Sequence, residues 1–240
     1  SMFILLGTTY FLVGGPTKGH SDLASLTEII SPNLRAIGHR GFTSMPQFGW
    51  GDAKYNLWWI VVSTITLGVG IGVLAQPQLI VRFMTVKSQK ELNRAVLMGA
   101  LFILFIPGTS YIVGSVSNVY FNKIEKVTGK IIRTTDEDVV VSASRRGFKT
   151  IPCRIHQIDT DLNGSADTFV VAEGLGRVAE QMPRAEVVSL DNGLTQIMPR
   201  SSSVNRAVVK RRDGQFMFNP DSIMPTFIGS AMPRWFGTVF

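Results

Sequence analysis

The stretch GVGIGVLAQPQLIVRFMTVKSQKELNR, residues 68–94, decides which fold we expect for this chain. Its first part is glycine-rich and uncharged, whereas its second part holds four basic residues against one acidic residue, Glu91. The basic residues are Arg82, Lys87, Lys90 and Arg94. Between the two parts lies Pro77, which lacks a backbone donor and clashes with the preceding turn of a helix. The stretch therefore predicts an apolar helix that breaks near its end and is followed by a charged anchor.

Composition favours a membrane protein. Charged residues make up 17% of the 240 residues, below the roughly 25% of an average soluble domain. Of the 24 basic and 17 acidic residues, 15 basic and 13 acidic ones fall within positions 122–222. We therefore expect a charge-poor membrane part that is interrupted by one ordinary soluble block.

Two uncharged runs, residues 56–81 and 95–122, are each longer than the ~20 apolar residues that cross a bilayer core. The alternative is two buried helices of a soluble protein, but these would need more surrounding chain than 240 residues supply. Residues 2–13 are apolar but too short for a full span, and residues 227–240 resemble the start of another. The sequence thus predicts an integral membrane protein with two complete spans and two partial ones.

The basic loop between the two long runs predicts the orientation. Short basic loops stay on the cytoplasmic side of a membrane, so residues 82–94 are expected inside. Residues 122–218, reached after one more crossing, are then extracellular. Binding of phosphoinositides by the same basic cluster is the alternative use of these charges.

The break itself has two interpretations. Interrupted helices form ion and substrate sites in secondary transporters, so Gly72, Gln76, Pro77 and Gln78 are candidates for a solute path. A proline kink, with glycines that allow close packing of helices, is the alternative. The two glutamines could likewise contact a solute or bond to the freed backbone.

The segment GIGVLAQPQLIVRFMTVKSQKELNRAV, residues 70–96, resembles the broken helix and following inner loop of the solute:sodium symporter family. The segment NPDSIMPTFIGSAMPRWFGTVF, residues 219–240, is similar to the outer-loop helix and next-helix entrance of that family. The resemblance extends over residues 2–121 and 219–240. It implies an α-helical membrane fold, here a fragment of a five-plus-five inverted repeat that works by sodium-coupled alternating access.

The resemblance also implies the partners and cofactors. They are a small-molecule solute, the lipid bilayer, the remainder of the transporter chain, and sodium as coupling ion with ligands mostly outside these residues. Proline-type members carry aromatic residues where this chain has Val69 and Val73, which argues against proline as the solute.

Three parts are therefore expected: membrane segments and loops (1–121), a β-rich extracellular insert (122–218), and an outer-loop helix with the start of another span (219–240). Short β-branched runs bounded by turn residues predict strands in the insert. These runs are KIIRTT, DVVVSAS, FKTIPCRIHQI, TFVVAEG, AEVVSL, LTQIM, NRAVVKRR and QFMFN. A disordered insert is the alternative.

Within the insert, DTDLNGSAD, residues 159–167, predicts a calcium loop. Its oxygen-bearing residues alternate around Gly164, and calcium binds several oxygens held by a sharply turned loop. They are Asp159, Asp161, Asn163 and Asp167. The pattern resembles the loops of FG-GAP-type repeats and departs from an EF-hand, because Val170 occupies the twelfth position. A polar turn without an ion is the alternative.

Other chemistry is sparse, which favours a non-enzymatic protein. Cys153 and His156 have a ligand-like spacing, but two ligands do not make a zinc site, and alternation along a strand explains them. The basic turn VKRRDG, residues 209–214, indicates a solvated surface, and no nucleic-acid partner is expected. Two functions stay open: part of a sodium-coupled transporter, or a membrane-anchored binding or sensor protein that displays the β-rich insert.

Overall fold

The structure, a computed structural model, describes residues 2–29, 35–49, 56–74, 76–144, 147–182, 184–190, 192–211, 213–233 and 236. The helices are α1 (Met2–Leu12), α2 (Pro16–Ser25), α3 (57–74), α4 (Pro77–Met84), α5 (Gln89–Val119), α6 (Ser203–Arg206) and α7 (Ile223–Ala231). Short 3₁₀ turns occupy Leu26–Ile29, Gly176–Gln181 and Pro220–Ser222.

Helix α5 is the longest helix of the described residues, and α1 and α2 pack against it. The Ser88 hydroxyl accepts a hydrogen bond from the Glu91 N–H at 3.3 Å and caps the helix. The helix continues past Val119 as a π-helical turn, Tyr120–Ile124. Helices α1 and α2 pack against it through Val113, Val116 and Val119. This packing buries the C-terminal part of α5, chiefly Val113 and residues 116–119, and leaves the first half exposed.

The prediction of an α-helical membrane fold, a fragment of a five-plus-five inverted repeat, is wrong. The helices are combined with a seven-stranded sheet, and among the described residues one helix, Gln89–Ile124, is long and apolar enough to cross a membrane. The uncharged run 56–81, predicted to be a complete span with a break at Pro77, is divided between α3 and α4. Its longest apolar helix, Leu57–Gly72, is shorter than the ~20 residues of a span.

The C-terminal partial span also differs from its prediction. Phe227 and Phe236 are buried in a core that they share with Leu5, Val113 and Phe121, so they face protein rather than lipid. Residues 234, 235 and 237–240 lie outside the described residues.

The strands are β1 (Val127–Ser144), β2 (Gly147–Asp159), β3 (Thr168–Gly174), β4 (Glu186–Ser189), β5 (Thr195–Met198), β6 (Val208–Lys210) and β7 (Phe216–Phe218). Their order is β3-β2-β1-β5-β4, and β7 pairs with both β1 and β6. We call residues 127–218 the β region. The runs KIIRTT and DVVVSAS, read as two strands, belong to the single strand β1.

Strand β1 pairs with three other strands, β2, β5 and β7, because its backbone is irregular. Its register shifts between Ile131 and Arg133 and again between Val140 and Ser142, and such bulges bend a strand and increase its twist. One end of β1 therefore pairs with β5, and the other end meets β7. The bend creates two apolar cores. One is built around Val139, Cys153, Ile155, Val171, Val208, Phe216 and Phe218, and the other around Val127, Ile158, Val170 and Ile197.

Candidate functional site

The structure has a helix break at the position where the sequence predicts one. Helix α3 ends at Leu74 and α4 begins at Pro77. The Gln76 carbonyl oxygen accepts a hydrogen bond from the Ile80 N–H at 3.2 Å, so Gln76 starts the new helix. Pro77 occupies the first helical position, where its missing N–H is tolerated. One helix therefore ends at Leu74 and a second helix begins at Pro77.

The residues predicted to line a solute path lie on both sides of this break. Gln76, Pro77 and Gln78 are exposed, and a methyl group added to Gly72 would meet nothing within 4 Å. A glutamine amide offers two donors and an acceptor, and an interrupted helix offers backbone groups that regular helix would use. The arrangement can therefore hold a small polar molecule, provided that other groups enclose it.

Sequence reasoning missed the unusual helix that precedes the break. Residues Ile60–Val69 form a π-helix, and the Thr66 hydroxyl donates to the Val61 carbonyl oxygen at 3.0 Å, five residues back. The Ser63 hydroxyl donates to the Trp59 carbonyl. Single π-helical turns occur frequently at functional sites, and no period in the sequence distinguishes them from ordinary helix.

The acidic loop brings three of its four predicted ligands together. Ligand oxygens of Asp159, Asp161 and Asp167 lie within 4.8 Å of one another. Asp159 is buried and the other two are exposed. Gly129 of β1 lies beside the loop, because a Cβ there would be 2.5 Å from the Asp159 carbonyl oxygen. The strands thus hold the start of the loop in place while its tip reaches solvent.

Hydrogen bonds within the loop occupy part of the binding capacity of these carboxylates. Asp159 accepts from the Gly164 N–H at 2.8 Å and the Asn163 N–H at 3.1 Å. Asp167 accepts from the Thr160 hydroxyl at 2.6 Å. Asp159 is also hydrogen-bonded by the Leu162 N–H and the Asp161 side chain, so most of its about four acceptor positions are used, and a cation at Asp159 would replace some of these bonds.

Asn163, the fourth predicted ligand, is used differently. Its carbonyl oxygen accepts from the Ser165 N–H at 2.8 Å and the Ser165 hydroxyl at 2.5 Å, and its amide donates to Asp161 at 2.8 Å. These bonds make Asn163 a turn former. Gly164 has a φ of 89°, in the left-handed region that glycine favours.

The electrostatics of the loop favour a charged Asp159. Burial alone would raise the pKa of this carboxyl, but hydrogen bonds from the Gly164 N–H, the Asp161 side chain and the Asn163 and Leu162 N–H groups together outweigh it and hold the pKa below its usual range. The carboxylate is therefore ready to meet a cation at neutral pH.

A buried ion pair, which sequence reasoning also missed, joins α5 to the β region. Arg206 Nε donates to the two Glu125 carboxylate oxygens at 3.0 and 2.9 Å, and Arg206 Nη1 donates to the Phe169 carbonyl oxygen at 3.2 Å. The Glu125 and Arg206 side chains are only 1% and 7% exposed, respectively. Burial raises the pKa of Glu125, and Arg206 opposes that rise.

Neutral hydrogen bonds extend the same junction. Asn118 Oδ1 accepts from both the Ser203 N–H and the Ser203 hydroxyl at 3.0 Å, and the Tyr120 hydroxyl donates to the Ser230 carbonyl oxygen at 2.8 Å. An open pocket of about 610 Å³ adjoins the junction. The charged residues that line it are Glu125, Lys126, Asp167, Arg206 and Lys210. Because the partners are 81 to 110 residues apart in the chain, no local pattern marks them.

Cys153 and His156 do not form a joint site. Cys153 is completely buried, its sulfur lies 3.7 Å from the Met182 sulfur, and burial raises the pKa of its thiol to about 11. His156 Nδ1 lies 2.9 Å from the Thr134 hydroxyl, near the surface. The two residues thus belong to a core and a strand surface, respectively.

Comparison of the chain with protein-family models, with curated proteins and with solved structures gives no match.

Proposed function

We propose that this chain is part of a sodium-coupled secondary transporter that moves a small polar or organic solute across a membrane. We assign the break between α3 and α4 to the lining of the solute path. The observation that carries the proposal is the restart of a helix at Gln76–Pro77 inside an apolar segment, with exposed glutamines on either side of the proline. The resemblance of residues 70–96 to the solute:sodium symporters supports it.

Helix α5 supports the membrane placement in this proposal. This helix is long and apolar enough to span a membrane, and its first half exposes apolar side chains around its circumference. They include Val96, Leu97, Met98, Leu101, Phe102, Ile103, Leu104 and Phe105. A helix that is apolar all round belongs in a large core or in a membrane. Lipid, or other membrane helices, would cover these side chains.

The basic loop and the β region lie at opposite ends of α5. Lys87, Lys90 and Arg94 are exposed around its start, and the β region begins after Ile124. Under the rule that short basic loops remain cytoplasmic, the β region is extracellular. An extracellular position would expose the acidic loop to millimolar calcium, and we include calcium in the proposal as the cation that orders this loop.

In the proposed mechanism the chain contributes orientation and exchange of hydrogen bonds. The amides of Gln76 and Gln78 replace part of the hydration shell of the solute, while the open face of Gly72 lets the solute approach the backbone. Sodium is the coupling ion, with ligands that the resemblance to the solute:sodium symporters implies lie mostly outside these residues. Alternating access then requires the segment around the break to face each side of the membrane in turn.

The test is to join the two helices. Replacing Gly72 and Pro77 together by Ala favours a continuous helix by about 1 and 3 kcal/mol, respectively, and the open space at Gly72 accepts the methyl group. We expect normal expression and loss of sodium-dependent solute uptake by cells that produce the complete protein. Gly99→Ala is the matched control, because Gly99 also has open space but lies in α5. Uptake at the parental rate in the double variant would show that the break is not part of the solute path and serves only helix packing.

A second candidate is a membrane-anchored binding or sensor protein that displays the β region. The buried Glu125–Arg206 pair favours it, because a rigid joint would transmit ligand binding from the strands to the membrane helix. The same uptake experiment separates the candidates: a sensor would show no sodium-dependent uptake in the parental protein.

A further inference from the structure

The open pocket beside the Glu125–Arg206 pair is lined by the start of β1, by β3 and β6, and by α7. Its volume is about 610 Å³. Glu125 and Arg206 form its inner wall, because both line the pocket and both are almost completely buried. None of the described residues that line it belongs to α3 or α4. The pocket is therefore a different site from the break in the apolar segment.

Arg206 uses only part of its hydrogen-bonding capacity. A guanidinium carries five N–H donors. Nε donates to the Glu125 carboxylate and Nη1 to the Phe169 carbonyl oxygen, whereas Nη2 has no hydrogen-bond partner among the described residues. A buried charged group loses its hydration, and each donor left without a partner is costly. Arg206 therefore needs a further acceptor.

That acceptor has access from the pocket. Across the part of the chain that the structure describes, the Ser201 hydroxyl is the only group of a buried or half-buried side chain that lacks a hydrogen bond and is also completely shielded from solvent. Nη2 of Arg206 lacks a hydrogen bond as well, so it is not shielded in the same way. Since Arg206 lines the pocket, the open side of Nη2 faces the pocket.

Two ammonium groups border the same pocket. Lys126 directly follows Glu125, and Lys210 lies in β6; both lysine side chains are exposed. Lys210 Nζ lies 5.7 Å from the ring centroid of Phe216, which packs against Phe169 at 5.3 Å between centroids. Neither lysine pairs with a carboxylate among the described residues. An anion in the pocket would thus meet further positive charge.

The carboxylates of the pocket limit the charge of that anion. Glu125 is held by Arg206, and Asp167 accepts from the Thr160 hydroxyl at 2.6 Å and from the Thr160 N–H at 3.2 Å. These bonds leave Asp167 negatively charged, and its repulsion of an incoming anion grows with the charge of that anion. A carboxylate, with one charge, is therefore favoured over a phosphate with two.

Apolar side chains form another part of the lining. Val127 and Val208 are buried, and Phe169 is half-buried. A bare inorganic ion would leave this apolar surface in water, whereas covering it with an apolar group stabilises a complex. The pocket therefore suits an anion that carries an apolar substituent.

We infer that this pocket binds a small organic carboxylate with an apolar substituent. Its carboxylate accepts from Arg206 Nη2 and is attracted by the ammonium groups of Lys126 and Lys210, and its apolar part covers Phe169. Charge-assisted hydrogen bonds of this kind are stronger than those between neutral groups. The inference does not rest on the transport proposal, because it depends only on the geometry around Arg206.

The experiment titrates the full chain in detergent micelles with benzoate, benzamide and inorganic phosphate, and measures binding by calorimetry. Benzoate should bind saturably and more tightly than benzamide, which has nearly the same shape without the charge, and more tightly than phosphate. Side-chain N–H resonances of arginine, measured by nuclear magnetic resonance, give a second readout. Arg206 is buried, so its N–H groups exchange slowly with water, and benzoate should shift their resonances.

Two variants locate the site. Arg206→Lys keeps a positive charge beside Glu125 but removes Nη2, so benzoate binding should weaken at least about tenfold, as expected for loss of charge-assisted hydrogen bonds. Lys126→Gln should weaken it about two- to fivefold, because an exposed charge contributes less than a buried one. Lys130→Gln is the matched control: Lys130 is also exposed but does not line the pocket, and binding should stay at the parental level. If Arg206→Lys does not fold, the two lysine variants and the Arg206 resonances decide.

Each other outcome overturns the inference. Absence of saturable benzoate binding, or Arg206 resonances that do not respond to benzoate, would mean that water completes the hydrogen bonds of Arg206. Equal affinities for benzoate and benzamide would remove the role of the carboxylate, and tighter binding of phosphate would assign the pocket to an inorganic anion. Equal weakening by Lys126→Gln and Lys130→Gln would show that benzoate binds outside the pocket. None of these results depends on uptake, so a failure of the transport proposal would be recognised separately.

Discussion

The two halves of α5 present the same kinds of side chain to opposite surroundings. In the first half Leu97 and Leu104 are 62% and 65% exposed, whereas in the second half Val113 and Val116 are completely buried. A contiguous exposed apolar surface marks an interaction site for lipid or protein. A hydrophobic run in the sequence therefore does not by itself determine whether it is buried in protein or exposed, because segments distant in the sequence decide what packs against it.

The β region is like the second half of α5. Its strands close over their own apolar residues, including Ile155 and Ile197, both completely buried. We therefore expect changes in the second half of α5 and in the β region to alter folding, and changes in the first half to alter membrane insertion.

The largest effect should come from the pair that joins these folded parts. Arg206→Ala leaves the Glu125 carboxylate buried without its partner, which costs about 3–5 kcal/mol of unfolding free energy. Chemical unfolding of the full chain in micelles measures it. Arg200→Ala is the control: Arg200 also pairs with a glutamate, Glu186, but both are about half exposed, and the cost should be below about 1 kcal/mol. Similar losses in both variants would show that the junction is solvated rather than buried.

A charge in the exposed half of α5 should have the next largest effect. Leu104→Arg places a guanidinium where we expect lipid, and insertion should become less favourable by about 2.5–3.5 kcal/mol. A membrane-insertion assay measures the loss. Ile132→Arg in β1 is the control, because Ile132 is 44% exposed and is expected to face water. If Leu104→Arg leaves insertion unchanged, the first half of α5 is covered by protein rather than lipid.

The sharpest comparison makes one substitution in each half of α5. Val116→Ala removes two buried methylene equivalents at about 0.8 kcal/mol each and leaves a cavity, so it should lower the unfolding free energy by about 2 kcal/mol. Val96→Ala removes the same atoms from a side chain that is 54% exposed and should change it by less than about 0.5 kcal/mol. Chemical unfolding in micelles measures both. Equal losses would mean that the two halves have the same surroundings.

The sequence predicted features that depend on neighbouring residues and did not predict those that depend on residues far apart in the chain. The break at Pro77 and the turn at Gly164 were predictable, because each depends on the backbone chemistry of a few adjacent residues. The prediction of a complete span at residues 56–81 was wrong, because absence of charge does not fix the length of a helix, and the apolar helix found there, Leu57–Gly72, is too short to cross a membrane. The Glu125–Arg206 pair could not be predicted, because two oppositely charged residues 81 positions apart carry no local signal.

The smallest effect concerns the acidic loop, at the surface of the β region. Binding of calcium to the folded loop raises stability by linkage, and extracellular modules bind this ion with dissociation constants of ~10⁻⁴–10⁻³ M. We therefore expect the full chain to melt a few degrees higher in millimolar calcium than in chelator. Asp161→Ala should abolish the difference, because Asp161 belongs to the carboxylate cluster. Asp213→Ala is the control, because Asp213 is an exposed carboxylate in a different turn.

The pH dependence distinguishes a cation site from an ordinary polar turn. The pKa of Asp159 lies below its ordinary value of 3.8 in the folded chain, so its contribution to stability is present above pH 3.8 and is lost as the pH falls through the lower folded value. The calcium-dependent shift in melting temperature should therefore persist at pH 5 and disappear as the carboxylates are protonated at lower pH. In chelator, the loss of stability on acidification should remain, because it comes from the hydrogen bonds to Asp159. If parental melting temperatures in calcium and chelator coincide at neutral pH, the three carboxylates form a hydrogen-bonded turn without a cation.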